Sequence, residues 1–253
     1  MIKFAKTLQL RDQTDCLQSC FGKVLGGAIM KFKLKDPGSA ITHGIAFLLA
    51  AVGAAPLLIR SSEWSDHIHI VALGVFILTM MLLYAASTLY HSVDSTAKVN
   101  RRLKKLDHMM IFVMIAGSYT PVCLIVLHNK IGYILCALVW ATAILGIVFK
   151  AFWVTCPKWI SSVLYIGMGW LCVLAFMPII HALPKAGFGW LLAGGIIYTI
   201  GGVIYALKLP IFNAKHKNFG SHEIFPRIYY AGKRVSFYCD VLFCGEYADL
   251  MIW

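Results

Sequence analysis

Charge is what this sequence has least of. Of its 253 residues only 11 are Asp or Glu, charged side chains of either sign make up 13%, and 60% are hydrophobic, with a mean hydropathy of +0.76. The scarcity is concentrated: residues 42–59, 67–90, 109–127, 131–149, 159–183 and 187–207 contain no Asp, Glu, Lys or Arg at all. That excludes an ordinary soluble domain, in which about a quarter of the residues are charged. A bilayer core about 30 Å thick takes roughly 20 apolar residues in a helix, so each run is long enough to span. Lipid offers no partner for backbone N–H and C=O groups, which excludes isolated strands and leaves helices. The expected fold is all-α: a polytopic membrane helical bundle with six clear transmembrane helices, placed as a multi-pass protein in the cell membrane with lipids as its partners.

A cleavable signal is also missing. The first ~40 residues alternate basic and apolar side chains and hold no long charge-free stretch ending at a small-residue site. The N-terminus is therefore expected to stay attached and cytoplasmic. With that orientation seventeen Lys and Arg fall in the tail and cytoplasmic loops, against Arg60, Lys130 and Lys185 on the other side, a strong positive-inside bias. The bias accounts for the net charge of +12 and the pI near 9.4 without nucleic acid as a partner. The run KVNRRLKKLDH is suited to anionic headgroups, at about 1 kcal/mol per basic residue near the surface. Oligomeric state is not legible.

The cysteines carry little chemistry. Cys123, Cys136 and Cys172 lie in apolar runs and read as packing residues, and Cys16 and Cys20 form only a weak C-x-x-x-C metal signal in a reducing compartment. No internal repeat stands out. Gly195, Thr199 and Gly202 recur at helical spacing and read as a close-packing stripe. Pro121 and Pro178 are expected to kink the third and fifth spans, and Trp64, Trp159 and Trp190 read as interfacial belt residues.

What polar chemistry remains gathers at one membrane level. Ser87 and His91 are four residues apart, hence on one helix face one turn apart. Asp107 enters the next helix at the same level, and His222 follows the last basic loop where a seventh helix would begin. Ionisable groups at membrane depth are costly and tend to mark function. Imidazoles and a carboxylate from three helices suit a divalent metal with an open position for water. His43 reads first as an interfacial residue and second as support for a ligand. His108 projects about 100° around the helix from Asp107 and is not expected to be a ligand. His67, His69, His128 and His181 fall at the other ends of the spans.

These residues carry a resemblance. S-T-L-Y-H at 87–91, L-D-H at 106–108 followed by I-A-G-S-Y-T-P at 115–121, and F-G-S-H-E-I-F at 219–225 are similar to the hemolysin III family. Progestin and adiponectin receptors are its eukaryotic relatives, and alkaline ceramidases more distant kin. The likeness runs from roughly Asp36 to Phe225. It implies a seven-helix bundle with a zinc ion near the inner leaflet, His91 and His222 as metal ligands, and Ser87 and Asp107 as the catalytic pair contacting or orienting a water. It further implies metal-assisted hydrolysis of a lipid amide or ester. Two other functions stay open: zinc that only pins helices together in a receptor or homeostasis protein, and cytolysis by assembled pores. Six constitutive spans without a secretion signal argue against a secreted pore-former.

The third ligand of that pattern is absent. Where a histidine is expected four residues after His222, the chain has Pro226, and Arg227, Lys233, Arg234, Asp240, Glu246 and Asp249 then forbid a span. The domain reading is a basic cytoplasmic tail over 1–40, a six-span membrane domain over 41–221, and an aberrant segment over 222–253 in place of a degraded seventh span. Deleting one C at the Phe225–Pro226 junction permits a reading that restores His-x-x-x-His and removes every charge across about 20 residues, enough to span. The hypothesis is that this tail is a seventh helix read out of frame, and the nucleotide sequence around codon 226 decides it. With two imidazoles alone, this chain is expected to bind zinc weakly and to be inactive.

Overall fold

Each charge-free run folds as a helix, because a chain in lipid must close its own hydrogen bonds until it reaches water. The computed structural model describes residues 34–63 and 67–207. The readings of the tail cysteines, Trp64, His222 and the segment 222–253 lie outside the described residues. The helices are α1 (Pro37–Ser62), α2 (His67–Ser92), α3 (Ala97–Pro121), α4 (Lys130–Phe152), α5 (Lys158–Gly169), α6 (Phe176–Ala182) and α7 (Lys185–Leu207). A π-helical turn, Val122–Val126, prolongs α3, and a 3₁₀ turn, Trp170–Ala175, joins α5 to α6 as one span. Six helical spans result, and the described residues contain no strand.

Local chemistry sets the boundaries. Pro37 occupies the first turn of α1, where no N–H is needed. Thr96 Oγ1 accepts from the Val99 N–H to open α3, and Asn129 Oδ1 accepts from the Gly132 N–H at 3.0 Å to open α4. His128 takes φ 33° in the tight turn between them. Both prolines mark irregular backbone, as expected: Pro121 leads into the π turn, and Pro178 lies just beyond the 3₁₀ turn.

The break in the fifth span would leave backbone groups bare. Tyr119 from α3 fills the gap, its hydroxyl donating to the Gly169 carbonyl at 2.5 Å and accepting from the Cys172 N–H at 3.0 Å. A single side chain thus closes what the 3₁₀ turn opens.

The third span is the centre of the bundle: 67% of its apolar stretch is buried, against 44% for the second and less for the others. Phe76 and Phe112 fill the core between α2, α3 and α4, and the Phe112 ring lies against Gly146, where a Cβ would overlap it. The outward faces are apolar, with Leu48, Leu49, Val52 and Leu145 more than half exposed. Such a surface is costly in water and free of cost in lipid.

Two sequence expectations change here. Lys150, taken as a loop cation, is fully buried in the last turn of α4, donating to Ser161 Oγ at 2.5 Å and Cys156 Sγ at 3.1 Å. It ties α4 to the start of α5. The close-packing stripe holds only in part: a Cβ at Gly202 would overlap Ile166, and Thr199 Oγ1 accepts from Trp170 Nε1 at 2.9 Å, but nothing approaches Gly195.

Candidate functional site

The end of α2 and the first half of α3 hold the polar residues, and neighbouring helices enclose them. Ser87 and His91 share the buried face of α2, 3% and 6% exposed, and Asp107 on α3 is 8% exposed. All three line one cavity of about 330 Å³ at the end of the bundle where α2 stops and α3 and α5 begin. Helical spacing predicts the Ser87–His91 pairing; the arrival of Asp107 beside it follows from the packing of α3 on α2.

Asp107 is a carboxylate withdrawn from solvent, and its surroundings answer that cost. His108 Nδ1 lies 3.3 Å from Asp107 Oδ2, and Ser87 and His91 interact with the same carboxylate. His108, not expected to be a ligand, thus sits beside the carboxylate and lines the cavity. Tyr165 of α5 anchors the backbone there by donating to the His108 carbonyl at 3.1 Å.

His91 is held from a second direction by a residue that sequence reasoning missed. Asp36 Oδ2 lies 3.1 Å from His91 Nδ1, and the Asp36 N–H donates to the His91 carbonyl at 2.9 Å. One residue before α1 thus satisfies a carbonyl at the C-terminus of α2 and orients the ring. The available signal was an acidic residue directly before a helix-starting proline. His43, the seventh residue of that helix, stacks on the His91 ring with centroids 5.7 Å apart and planes 2° from parallel. It lines the cavity as well, so it sits where support for a ligand would sit.

Whether these donors fit zinc is a question of chemistry and number. An imidazole whose Nδ1 faces a carboxylate is the form in which metal-ligating histidines are held, with the lone pair left on Nε2. A nearby carboxylate adds a hard oxygen donor. In number they fall short: among the described residues no three His, Cys, Asp or Glu side chains converge as a metal cage. His91 and Asp107 are brought together, and His222 lies outside the described residues.

Three relatives match most of this chain. The Hemolysin-3 homolog of Bacillus subtilis (strain 168) is 36% identical over 214 residues, covering 84% of this chain and 96% of its own length. Hemolysin-3 of Bacillus cereus is 38% identical over 213 residues, covering 84% and 93%. The adiponectin receptor protein of Drosophila melanogaster is 25% identical over 213 residues, covering 75% of this chain and 46% of its own. The family described as Haemolysin-III related matches residues 33–232, past Phe225 and into the charged tail. With six spans, a polar cavity at one end and that match over most of its length, this chain belongs to the haemolysin-III-related family of membrane proteins.

Proposed function

We propose that the cavity is the site of zinc-dependent hydrolysis of a lipid ester or amide at the cytoplasmic face of the cell membrane. The observation that carries this reading is the meeting of three buried side chains, Ser87, His91 and Asp107, from two helices, around one cavity. His91 would hold the ion through Nε2, with His222 as the second protein ligand that the family resemblance implies. When bound, the ion supplies Lewis acidity toward the carbonyl being cleaved.

The chain's own residues do the rest. Asp36 keeps a proton on His91 Nδ1 and so keeps the metal-binding lone pair on the other nitrogen. Asp107 takes the proton of the attacking water, and Ser87 orients that water by hydrogen bonding. Ser87, His91 and Asp107 are themselves buried, so their charges count for more than they would in water.

Zinc analysis of this chain beside a version with the reading frame restored after Phe225 tests the proposal. The restored chain, with its second histidine four residues beyond His222, is expected to bind zinc with higher affinity and full stoichiometry. Equal affinity in the two would contradict the ligand assignment. Asp36→Asn provides a separate check. Loss of a carboxylate behind a ligating histidine is expected to weaken zinc binding by about 10- to 100-fold in the restored chain, measured by competition with a chelating dye. An unchanged affinity would mean that His91 is not a ligand.

A further inference from the structure

Beyond the hydrolytic groups, the cavity carries a second set of polar residues. Lys104 on α3 and Lys158 at the first position of α5 both line it. Ser162, one turn further along α5, lines it too; this residue is 2% exposed and its hydroxyl has no hydrogen-bond partner. A buried hydroxyl left unpaired on a cavity wall is costly unless a ligand completes it. Two cations from different helices beside it specify the sign of that ligand.

The order of side chains along the helices specifies its shape. Along α3 the cavity meets Lys104, then Asp107, then Ile111, and along α5 it meets Lys158, then Ser162, then Ile166. Along α2, which runs the other way, it meets His91, Ser87 and Leu83. Each step of three or four residues advances about 5–6 Å along a helix. All three helices therefore present an ionisable outer layer, a polar middle layer and an apolar inner layer. An amphiphile entering chain first has the complementary order: charged head outermost, ester or amide linkage next, hydrocarbon innermost.

We propose that the cavity takes an acylated amphiphile with an anionic, phosphate-like head, held by Lys104, Lys158 and the Ser162 hydroxyl. The proposal rests on the hydrolytic reading of the same cavity, in that the linkage is then delivered to the level of Asp107 and Ser87. The head lies about one turn outward of the Asp107 carboxylate, at the level of Lys104, whose charge offsets the repulsion between the two anions. Lys158 Nζ also sits 4.7 Å from the centre of the Tyr205 ring, which holds the cation at the cavity edge in the absence of an anion. A neutral head would leave the Ser162 hydroxyl beside two cations it does not answer in charge, and that mismatch is the basis of selectivity.

The test measures lipid retention by the full chain, purified in detergent, with native mass spectrometry. The probes are dioleoyl phosphatidic acid, dioleoylglycerol with the same chains and no phosphate, and inorganic phosphate as a competitor. The expected result is preferential retention of phosphatidic acid, reduced about fivefold per lysine in Lys104→Gln/Lys158→Gln. It is retained in the control Lys98→Gln/Arg101→Gln, whose exposed cations lie at the same end of the bundle outside the cavity. Equal retention of the two lipids by the parent, or an equal loss in the control, would overturn the proposal. Full displacement by inorganic phosphate at matching concentration would overturn the lipid assignment in favour of a free-anion site. If the double variant fails to fold, Ser162→Val decides, since undiminished selectivity there contradicts the role of the hydroxyl. Retention needs no turnover, so a chain that binds phosphatidic acid selectively and hydrolyses nothing sinks the hydrolytic reading and leaves this one standing.

Discussion

Asp107→Asn in the frame-restored chain lowers hydrolysis of a lipid ester or amide by about 100- to 10,000-fold, the usual contribution of a positioned general base. The same variant keeps its fold. Asparagine preserves the shape of the side chain and removes a charge that is 8% exposed, so the desolvation cost falls rather than rises. Thermal unfolding at or above the parent's temperature, together with lost turnover, separates a chemical role from a structural one. Activity within a factor of two of the parent would falsify the assignment of Asp107 as the base. Joint loss of fold and zinc would instead indicate an ion that only pins helices together.

Tyr119→Phe is expected to cost about 1–3 kcal/mol of stability, since two part-buried backbone groups lose a partner, each at the low end of about 1–3 kcal/mol. The substitution keeps the ring and deletes one oxygen. That oxygen is both acceptor for the Cys172 N–H and donor to the Gly169 carbonyl, at a point where the fifth span has left regular helix. In water the freed groups would find solvent; within a bilayer they cannot. The fall is read from denaturant unfolding in detergent, with Tyr133→Phe, a half-exposed ring outside the core, as the comparison. A change below about 0.5 kcal/mol, the range of ordinary surface substitutions, would show that the 3₁₀ turn satisfies its own backbone.

The candidate site was partly legible in the sequence. Ser87 and His91 could be paired because a four-residue step returns to the same helix face whatever the rest of the chain does. Asp107 could be placed at their level because it stands two residues before an apolar run that must start at a membrane surface. The same angular rule, which argued only against His108 as a ligand, did not reveal its nearness to Asp107. A residue about 100° from Asp107 was set aside, yet its ring turns back to lie 3.3 Å from the carboxylate and borders the cavity. A side chain as long as histidine reaches more of the helix surface than its Cα position suggests.

Lys150 shows the same limit from the other side. A basic residue at the end of an apolar run reads as a loop cation, and only the approach of Ser161 and Cys156 from beyond the next turn makes it an internal donor. Asp36 is equivalent: in sequence it precedes a proline, and in the fold it braces a histidine from the next helix.

The sequence by itself determined that this protein lies in a membrane, how many helices of the described region cross it, and which residues of each helix share a face. Hydropathy and helical period are properties of a few neighbouring residues, so they can be read without knowing what packs where. Only the tertiary structure decided that Asp36 and His43 stand behind His91, that His108 faces Asp107, that Tyr119 closes the break in the fifth span, and that two lysines and an unpaired hydroxyl share the cavity. Those contacts join residues tens of positions apart. They depend on the angle and depth at which whole helices meet, which side-chain shapes set collectively and no short stretch of sequence encodes.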